Sequence, residues 1–549
     1  MLIPDESATL GQVLAEAVRC WGSNPFLAVP MNPARTYDSQ GLEWTYAEVA
    51  DRVAALQEIY ACAGYGVGHR VGLLLENRLE HFLHKLAMNA LGVCCVPLNP
   101  DHRPLEMAYV IEHSQLDLII AIQALMPLAR QAMTHTPHQA PLLDLHGIVD
   151  RLPIPAKPRE KREVRASDIA SVLYTSGTTG RPKGCLLSHR YEVAAGQWYA
   201  SRGDLIAFAD GGGDRIYNPL PVFHVNSLVF SFFCAMLKGN CQVQTDRFQP
   251  TRWFEEIHAS RATVVHYLGV VVPMLLNQPH HPLEREHKVR FGLGAGVDPQ
   301  RHAEFEARFG YPLIEIWGMT EMVRAIFDAD VPRKVGTRAF GRTKPTLEVR
   351  VVDDADQDIP DHTPGEMLLR YSAETPRKDC FSGYLNDEAA TEHAWRGGWF
   401  HTGDVVVRDP DGLLHFVERR KNIIRRSGEN IAAAEVEAVL QAHPAVAQAA
   451  VLGVHDEVRE EEVLACVVLK PGQHARSAVD DPLVQNLLAY CREALAYYKV
   501  PGWLWFTSEI PTTGTQKVQK HQLFPAGTDP REAPGMIDLR PFKKRQTFH

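Results

Sequence analysis

The chain has 549 residues, 45% of them hydrophobic and 22% charged, and a formal net charge of −9. This composition excludes a disordered chain and provides for several packed cores, while the interspersed charges exclude the basic groove of a nucleic-acid binder. The opening Met1-Leu2-Ile3-Pro4-Asp5-Glu6 lacks the order of a secretory signal, and the apolar runs from Leu228 to Leu237 and from Val264 to Leu276 are shorter than the ~18 residues of a membrane span, so a cytoplasmic protein without an integral membrane segment is expected.

From Trp44 to Ile120, apolar runs such as Val71 to Leu75 alternate with amphipathic stretches such as Tyr46 to Tyr60 and His81 to Leu91, which predicts β-α units. The segment from Leu152 to Arg165, rich in Pro, Lys and Arg, reads as a surface connection before a short strand from Ile169 to Tyr174. A second α/β stretch reaches about Tyr311, and alternation at Leu347 to Val352 and Glu366 to Tyr371 predicts a small β-rich unit. A helix at Ala434 to Ala442, strands at Ala447 to Leu452 and Leu464 to Leu469, and a helix at Pro482 to Leu495 predict a separate C-terminal unit. The expected fold is therefore α/β: a large multi-subdomain N-terminal α/β region over 1–420 and a smaller α+β domain over 421–549. The ten cysteines form no C-x-x-C pair and read as buried thiols, and Lys543-Lys544-Arg545 reads as a solvated tail without a role.

The strongest local signal is Tyr174-Thr175-Ser176-Gly177-Thr178-Thr179-Gly180-Arg181-Pro182-Lys183-Gly184. Glycines let backbone N–H groups approach an anion, hydroxyls add donors, and Lys183 brings a full charge toward outer phosphates. It is not a Walker loop, because Gly-x-x-x-x-Gly-Lys-Ser/Thr is absent. Gly292-Leu293-Gly294-Ala295-Gly296 likewise fails the dinucleotide pattern, since Val297 stands at its final glycine position.

The loop from Tyr174 to Gly184 resembles the signature of the acyl-adenylate-forming superfamily, which includes acyl-CoA synthetases, peptide-synthetase adenylation domains and firefly luciferases, and further motifs follow in the family's order down to residue 520. The resemblance implies an ATP/AMP site built from Thr175, Ser176, Gly177, Thr178, Thr179 and Lys183, with Gly294 and Ala295 as a backbone wall against adenine. In Trp317-Gly318-Met319-Thr320-Glu321 it implies an aromatic stack on adenine, a Thr contact to the α-phosphate and a Glu that helps hold Mg²⁺. His401-Thr402-Gly403-Asp404 resembles the ribose-binding motif, with Asp404 accepting from the diol and Arg419 in support. Lys517 matches the C-terminal lysine that stabilises charge in the adenylation step. Lys421 matches the hinge about which the C-terminal domain moves, and Gly428 and Glu429 match the segment brought in for the thiol step.

His224, in Pro221-Val222-Phe223-His224-Val225-Asn226-Ser227, stands where amino-acid-activating relatives carry Asp, which argues against an α-amino substrate. Val225, Asn226, Met319, Met322 and Val323 are expected in an acyl pocket. The C-terminal half most resembles carnitine- and fatty-acid-type CoA ligases. The expected activity is that of an AMP-forming acid–thiol ligase, with ATP and CoA as co-substrates, Mg²⁺ as cofactor, an apolar carboxylic acid as substrate and a homo-oligomer left open. Loading of a carrier protein, a luciferase-like oxygenase and a non-enzymatic adenylate binder remain as alternatives.

Overall fold

The computed structural model describes all residues except 150, 151, 176–180, 354, 420–422, 512–519, 521, 522, 526, 527 and 544–549, with backbone alone at 149, 300, 418, 419, 423, 430, 432 and 434. Among the described residues, four sheets carry the architecture. Two belong to the large α/β region, of eight and six strands, and each is a parallel core closed at its functional edge by an antiparallel strand. Parallel strands are covered on both faces, which explains why Arg70–Leu74, Cys94–Pro97 and Leu118–Ala121 are almost wholly apolar. A five-stranded antiparallel sheet follows, and a mixed sheet with two main helices, Ala433–Ala442 and Pro482–Ala494, forms the smaller α+β domain.

Local chemistry sets the element ends. At the helix Tyr46–Cys62, Thr45 and Glu48 form a capping box in which the Thr hydroxyl accepts from the Glu48 N–H and the Glu48 carboxylate accepts from the Thr45 N–H. Pro482 opens its helix behind Asp481, whose carboxylate accepts from the Leu483 N–H at 2.9 Å. The apolar run after His224 begins as a π-helical turn, Asn226–Ser231, before tightening to the α-helix Phe232–Lys238. Such wide turns accompany functional sites because they displace side chains from α-helical register.

A buried ionic cluster ties the helices Leu79–Ala90 and His189–Ala200 to the six-stranded sheet. Lys85 Nζ lies 2.7 Å from Ser171 Oγ, 3.0 Å from Asn89 Oδ1 and 2.7 Å from Glu192 Oε2, with neither Lys85 nor Glu192 exposed. Removing one partner would strand a buried charge, a loss of about 3–5 kcal/mol.

Two expectations are corrected. Lys543 is not a solvated residue: its ammonium reaches Glu462 Oε1 at 2.5 Å and the Tyr498 carbonyl at 3.2 Å, because Glu462 is fully buried beside Arg426 and draws a second cation inward. Lys544 and Arg545 lie outside the described residues. Eight cysteines are buried as expected, whereas Cys20 and Cys62 are exposed, each falling on the outer side of its helix. No helix among the described residues is long and apolar enough to cross a membrane.

Candidate active site

The strands Ile169–Thr175 and Lys183–Ser188 pair antiparallel, with Thr175 opposite Lys183. The glycine-rich run is thus the connection of a hairpin at a sheet edge, and its Ser176, Gly177, Thr178 and Thr179 lie outside the described residues. Residues 382–385 run alongside the second strand through Ser382 N–H to Leu186 O and Leu385 N–H to Gly184 O. This places the Tyr384 ring 4.7 Å from the Lys183 ammonium, a cation–π contact, while the Tyr384 hydroxyl donates to Glu321 Oε1 at 2.9 Å. Burial and the Glu321 carboxylate raise the Tyr384 hydroxyl well above its ordinary pKa, so it stays a donor.

Thr320 and Glu321 are the two residues joining the antiparallel strands Leu313–Met319 and Met322–Phe327, so the edge of the eight-stranded sheet delivers them together. Tyr191 fixes this turn by donating to the Thr320 carbonyl at 2.8 Å. Trp317 is buried on the same strand and donates its indole N–H to Asp404 Oδ2 at 2.8 Å, while Gly318 is exposed. Asp404 stands directly opposite Arg419 across the strands Phe400–Arg408 and Leu414–Arg419. Gly294 packs so closely that an added Cβ would lie 2.3 Å from the Tyr267 carbonyl oxygen, and Ala295 accepts the Gly269 N–H at 2.8 Å.

The smaller domain reaches this edge through the hairpin Ile423–Arg426 and Glu429–Ala432. Gly428 has φ +83°, and an added Cβ would come 2.1 Å from Leu268 Cδ1. Glu429 Oε2 lies 3.6 Å from His224 Nε2, beyond hydrogen-bond distance. Burial works to raise the Glu429 carboxyl, but His224, with Lys499 and His102 behind it, outweighs that and holds it below its ordinary value. Glu460 accepts the Val270 N–H at 3.1 Å, and burial pushes its carboxyl up to about 7. Farther along the same interface, Lys499 bridges Glu106 at 2.8 Å and Glu435 at 2.7 Å, and Arg103 donates to the Leu495 carbonyl at 2.7 Å.

Among the acyl-pocket candidates, Val225, Asn226 and Met319 are half-buried, and Asn226 Oδ1 accepts from Asn218 Nδ2 at 3.0 Å. Met322 and Val323 are each 1% exposed, and the Cys380 thiol points at the Met322 sulfur from 3.7 Å. Lys421 and Lys517 lie outside the described residues, and Arg419 is described in backbone only. Sequence reasoning missed Tyr384, Lys499 and Glu460, none of which has a local signal: an aromatic after glycine reads as a turn, and a single lysine or a short run of acids reads as solvated.

Lys183 and Glu321, bridged by Tyr384, bring a cation from the edge of one sheet beside a carboxylate from the edge of the other. A carboxylate oxygen together with phosphate oxygens is the donor set Mg²⁺ takes, so Glu321 fits a metal–nucleotide group. Elsewhere among the described residues, donor atoms of Asp356, Glu366 and His401 lie within 4.8 Å of one another, but Arg396, 3.7 Å from Asp356 and 3.8 Å from Glu366, already balances that cluster.

The profile of the AMP-binding enzymes matches residues 28–385, and that of the AMP-binding enzyme C-terminal domain matches residues 435–517. The chain is 30% identical to a sulfoacetate–CoA ligase of Cupriavidus necator, over 95% of this chain and 98% of that protein. It is 28% identical to a crotonobetaine/carnitine–CoA ligase of Citrobacter koseri, over 88% of this chain and 93% of that protein. Among solved structures it resembles the amide bond synthetase McbA of Marinactinospora thermotolerans, with a TM-score of 0.75, 27% identity and coverage of 94% of this chain and 98% of that one.

Proposed function

The chain belongs to the AMP-binding enzyme family, whose chemistry is ATP-dependent formation of acyl-adenylates by ligases, and we propose that it is an acid–CoA ligase acting on a largely apolar acid without an α-amino group. In the first half-reaction the substrate carboxylate attacks the α-phosphate of ATP, displacing pyrophosphate. In the second, the CoA thiol attacks the acyl carbon, displacing AMP.

Lys183 meets the outer phosphates and Thr320 the α-phosphate. Tyr384 holds Glu321 in one orientation, and its ring keeps the Lys183 ammonium close by. Glu321, together with the phosphate oxygens, would hold Mg²⁺, which would supply the positive charge that offsets repulsion of the incoming carboxylate. Asp404 and Arg419 take the ribose, and Trp317, braced by Asp404, lies against adenine with Gly294 and Ala295. Lys517 supplies the ammonium that favours the adenylation transition state. Val225, Asn226, Met319, Met322 and Val323 belong to the acyl wall. The domain boundary falls at 420/421, and rotation about Lys421 exchanges Lys517 for the Gly428–Glu429 segment.

The observation that supports this reading is the seating of Gly428 against Leu268 with Glu429 3.6 Å from His224, which brings the segment proposed for the thiol step beside the residue proposed to border the carboxylate. The test is pyrophosphate release over short, medium, long and aromatic acids with ATP, with CoA, a carrier protein or an amine as acceptor. Acyl-CoA as the main product supports the proposal. Amide or carrier-bound product in place of acyl-CoA defeats the acceptor assignment, and release with α-amino acids alone defeats the acid class.

A further inference from the structure

Behind the His224 segment lies a pair of buried polar side chains that the two half-reactions do not use. Tyr199, near the end of the helix His189–Ala200, is 1% exposed, and His266, in the strand Val264–Leu268, is fully buried. Their rings stack with centroids 5.9 Å apart and 22° between planes. The Tyr199 hydroxyl and both ring nitrogens of His266 have no hydrogen-bond partner among the described residues. Each such group costs about 1–3 kcal/mol when left unsatisfied, and native proteins rarely keep three together.

The surroundings say what would satisfy them. Phe230 stacks on Tyr199 at 5.6 Å and Phe327 meets it edge-on at 5.1 Å, so the walls are aromatic. Phe230 lies on the π-helical turn that follows His224 and Val225. Two residues beyond His266 on the same strand face, about 7 Å along the sheet, Leu268 receives Gly428 of the smaller domain. His266 also pairs in register with Leu293, inside the Gly292–Gly296 run. The pair therefore sits inward of the point where the carboxylate, the nucleotide wall and the thiol segment converge. Burial pushes the His266 imidazole down to about 3, and burial, reinforced by Cys234, holds the Tyr199 phenol well above its ordinary value. Both are neutral, each offering one donor and one acceptor. A charged group placed there would lose its hydration without a counter-charge.

Resting on the ligase reading above, we propose that Tyr199 and His266 form the far end of the acyl site and that the acid carries an uncharged oxygen function, hydroxyl or carbonyl, remote from its carboxylate. Phe230 and Phe327 beside the pair are apolar, so the part of the acid next to that oxygen is hydrocarbon. The pair rejects acids ending in ammonium or a second carboxylate, and it disfavours plain acids by leaving its own polar atoms unpaired.

The test is a series of straight-chain acids of four to ten carbons, each plain, ω-hydroxy, terminal methyl ketone, ω-amino or dicarboxylic, assayed by pyrophosphate release at saturating ATP with the full chain. At one length an oxygenated acid should exceed its plain counterpart in kcat/KM by about tenfold or more. Tyr199→Phe, which keeps the ring, should cut that ratio by about tenfold, chiefly through KM, and should raise the Tm of the unliganded protein by removing an unsatisfied hydroxyl. A merely structural hydroxyl would lower Tm and leave the ratio alone. Preference for plain or charged-ended acids at every length, or an unchanged ratio in Tyr199→Phe, overturns this inference while leaving the ligase reading standing. Absence of pyrophosphate release with every acid overturns both.

Discussion

The Tyr384 hydroxyl donates to Glu321 Oε1 at 2.9 Å. This bond links the segment lying along the Lys183 strand to the two-residue turn that ends the other sheet, so the proposed phosphate and metal groups are set by one side chain. Tyr384→Phe keeps the ring beneath Lys183 but frees the Glu321 carboxylate to rotate. Adenylation kcat/KM should fall about 10- to 150-fold, the worth of one hydrogen bond to a charged group, and the Mg²⁺ concentration for half-maximal rate should rise. Pyrophosphate exchange measured against Mg²⁺ checks this. An unchanged Mg²⁺ dependence would separate Tyr384 from the metal group.

Gly428→Ala should stop the thiol step while sparing adenylation, because the added Cβ would enter Leu268 Cδ1 and the residue needs φ +83°. Transfer from supplied acyl-adenylate to CoA should drop about 100-fold, a barrier increase of about 3 kcal/mol. Leu268→Ala in the same chain clears the clash but not the backbone strain, so part of the rate should return. Full loss persisting in the double variant would show that packing against Leu268 is not the obstacle.

Docking of the smaller domain should depend on pH through Glu460. Burial pushes this carboxyl up to about 7, reinforced by Glu461 and Glu315 and opposed by Arg425 and the Val270 N–H, against an ordinary value of 4.5 when the domains part. The docked state therefore binds the extra proton. Its contribution is fully present below 4.5, declines as pH rises through about 7, and is constant beyond. A two-dye distance across the domains, read from pH 5 to 8, should show the docked population falling over that window, and Glu460→Gln should flatten it. A population that rises with pH would contradict the assignment.

Lys543→Ala should destabilise the smaller domain by about 1–3 kcal/mol, because it leaves the buried Glu462 with Arg426 as its remaining cation. The loss should show as earlier unfolding of that domain in calorimetry. Truncation after Phe542 should reproduce it, and a Tm equal to that of the parent would return Lys543 to the solvent.

Where function rests on contiguous residues, the sequence is legible. The strand leading into the glycine-rich run and the helices Ala433–Ala442 and Pro482–Ala494 announce themselves through glycine and apolar spacing, whereas Thr320 and Glu321 stand out through the family resemblance alone. The strands Val446–Asp456 and Glu460–Leu469 run longer than expected, extending over the charged Glu460-Glu461-Glu462 that apolar alternation does not mark. Each of these acids finds its partner far away: Val270 N–H, Arg425 N–H and Arg426 respectively. Tyr384 and the Tyr199–His266 pair are hidden for the same reason, since only folding brings their partners within reach.

The Lys85–Glu192 cluster bears on how the chain could be divided. The exposed connection near residues 152–165 separates Lys85 from Ser171 and Glu192, and the sheet itself is assembled across that connection, with Cys94–Pro97 beside Ile169–Thr175. A cut there yields two polypeptides, each carrying half of an ion pair and one raw edge of a parallel sheet. Neither fragment can neutralise its buried charge alone, so the pieces form a complementing pair whose reassociation is selected by that charge as well as by the sheet edge, a natural split point for a two-part reporter.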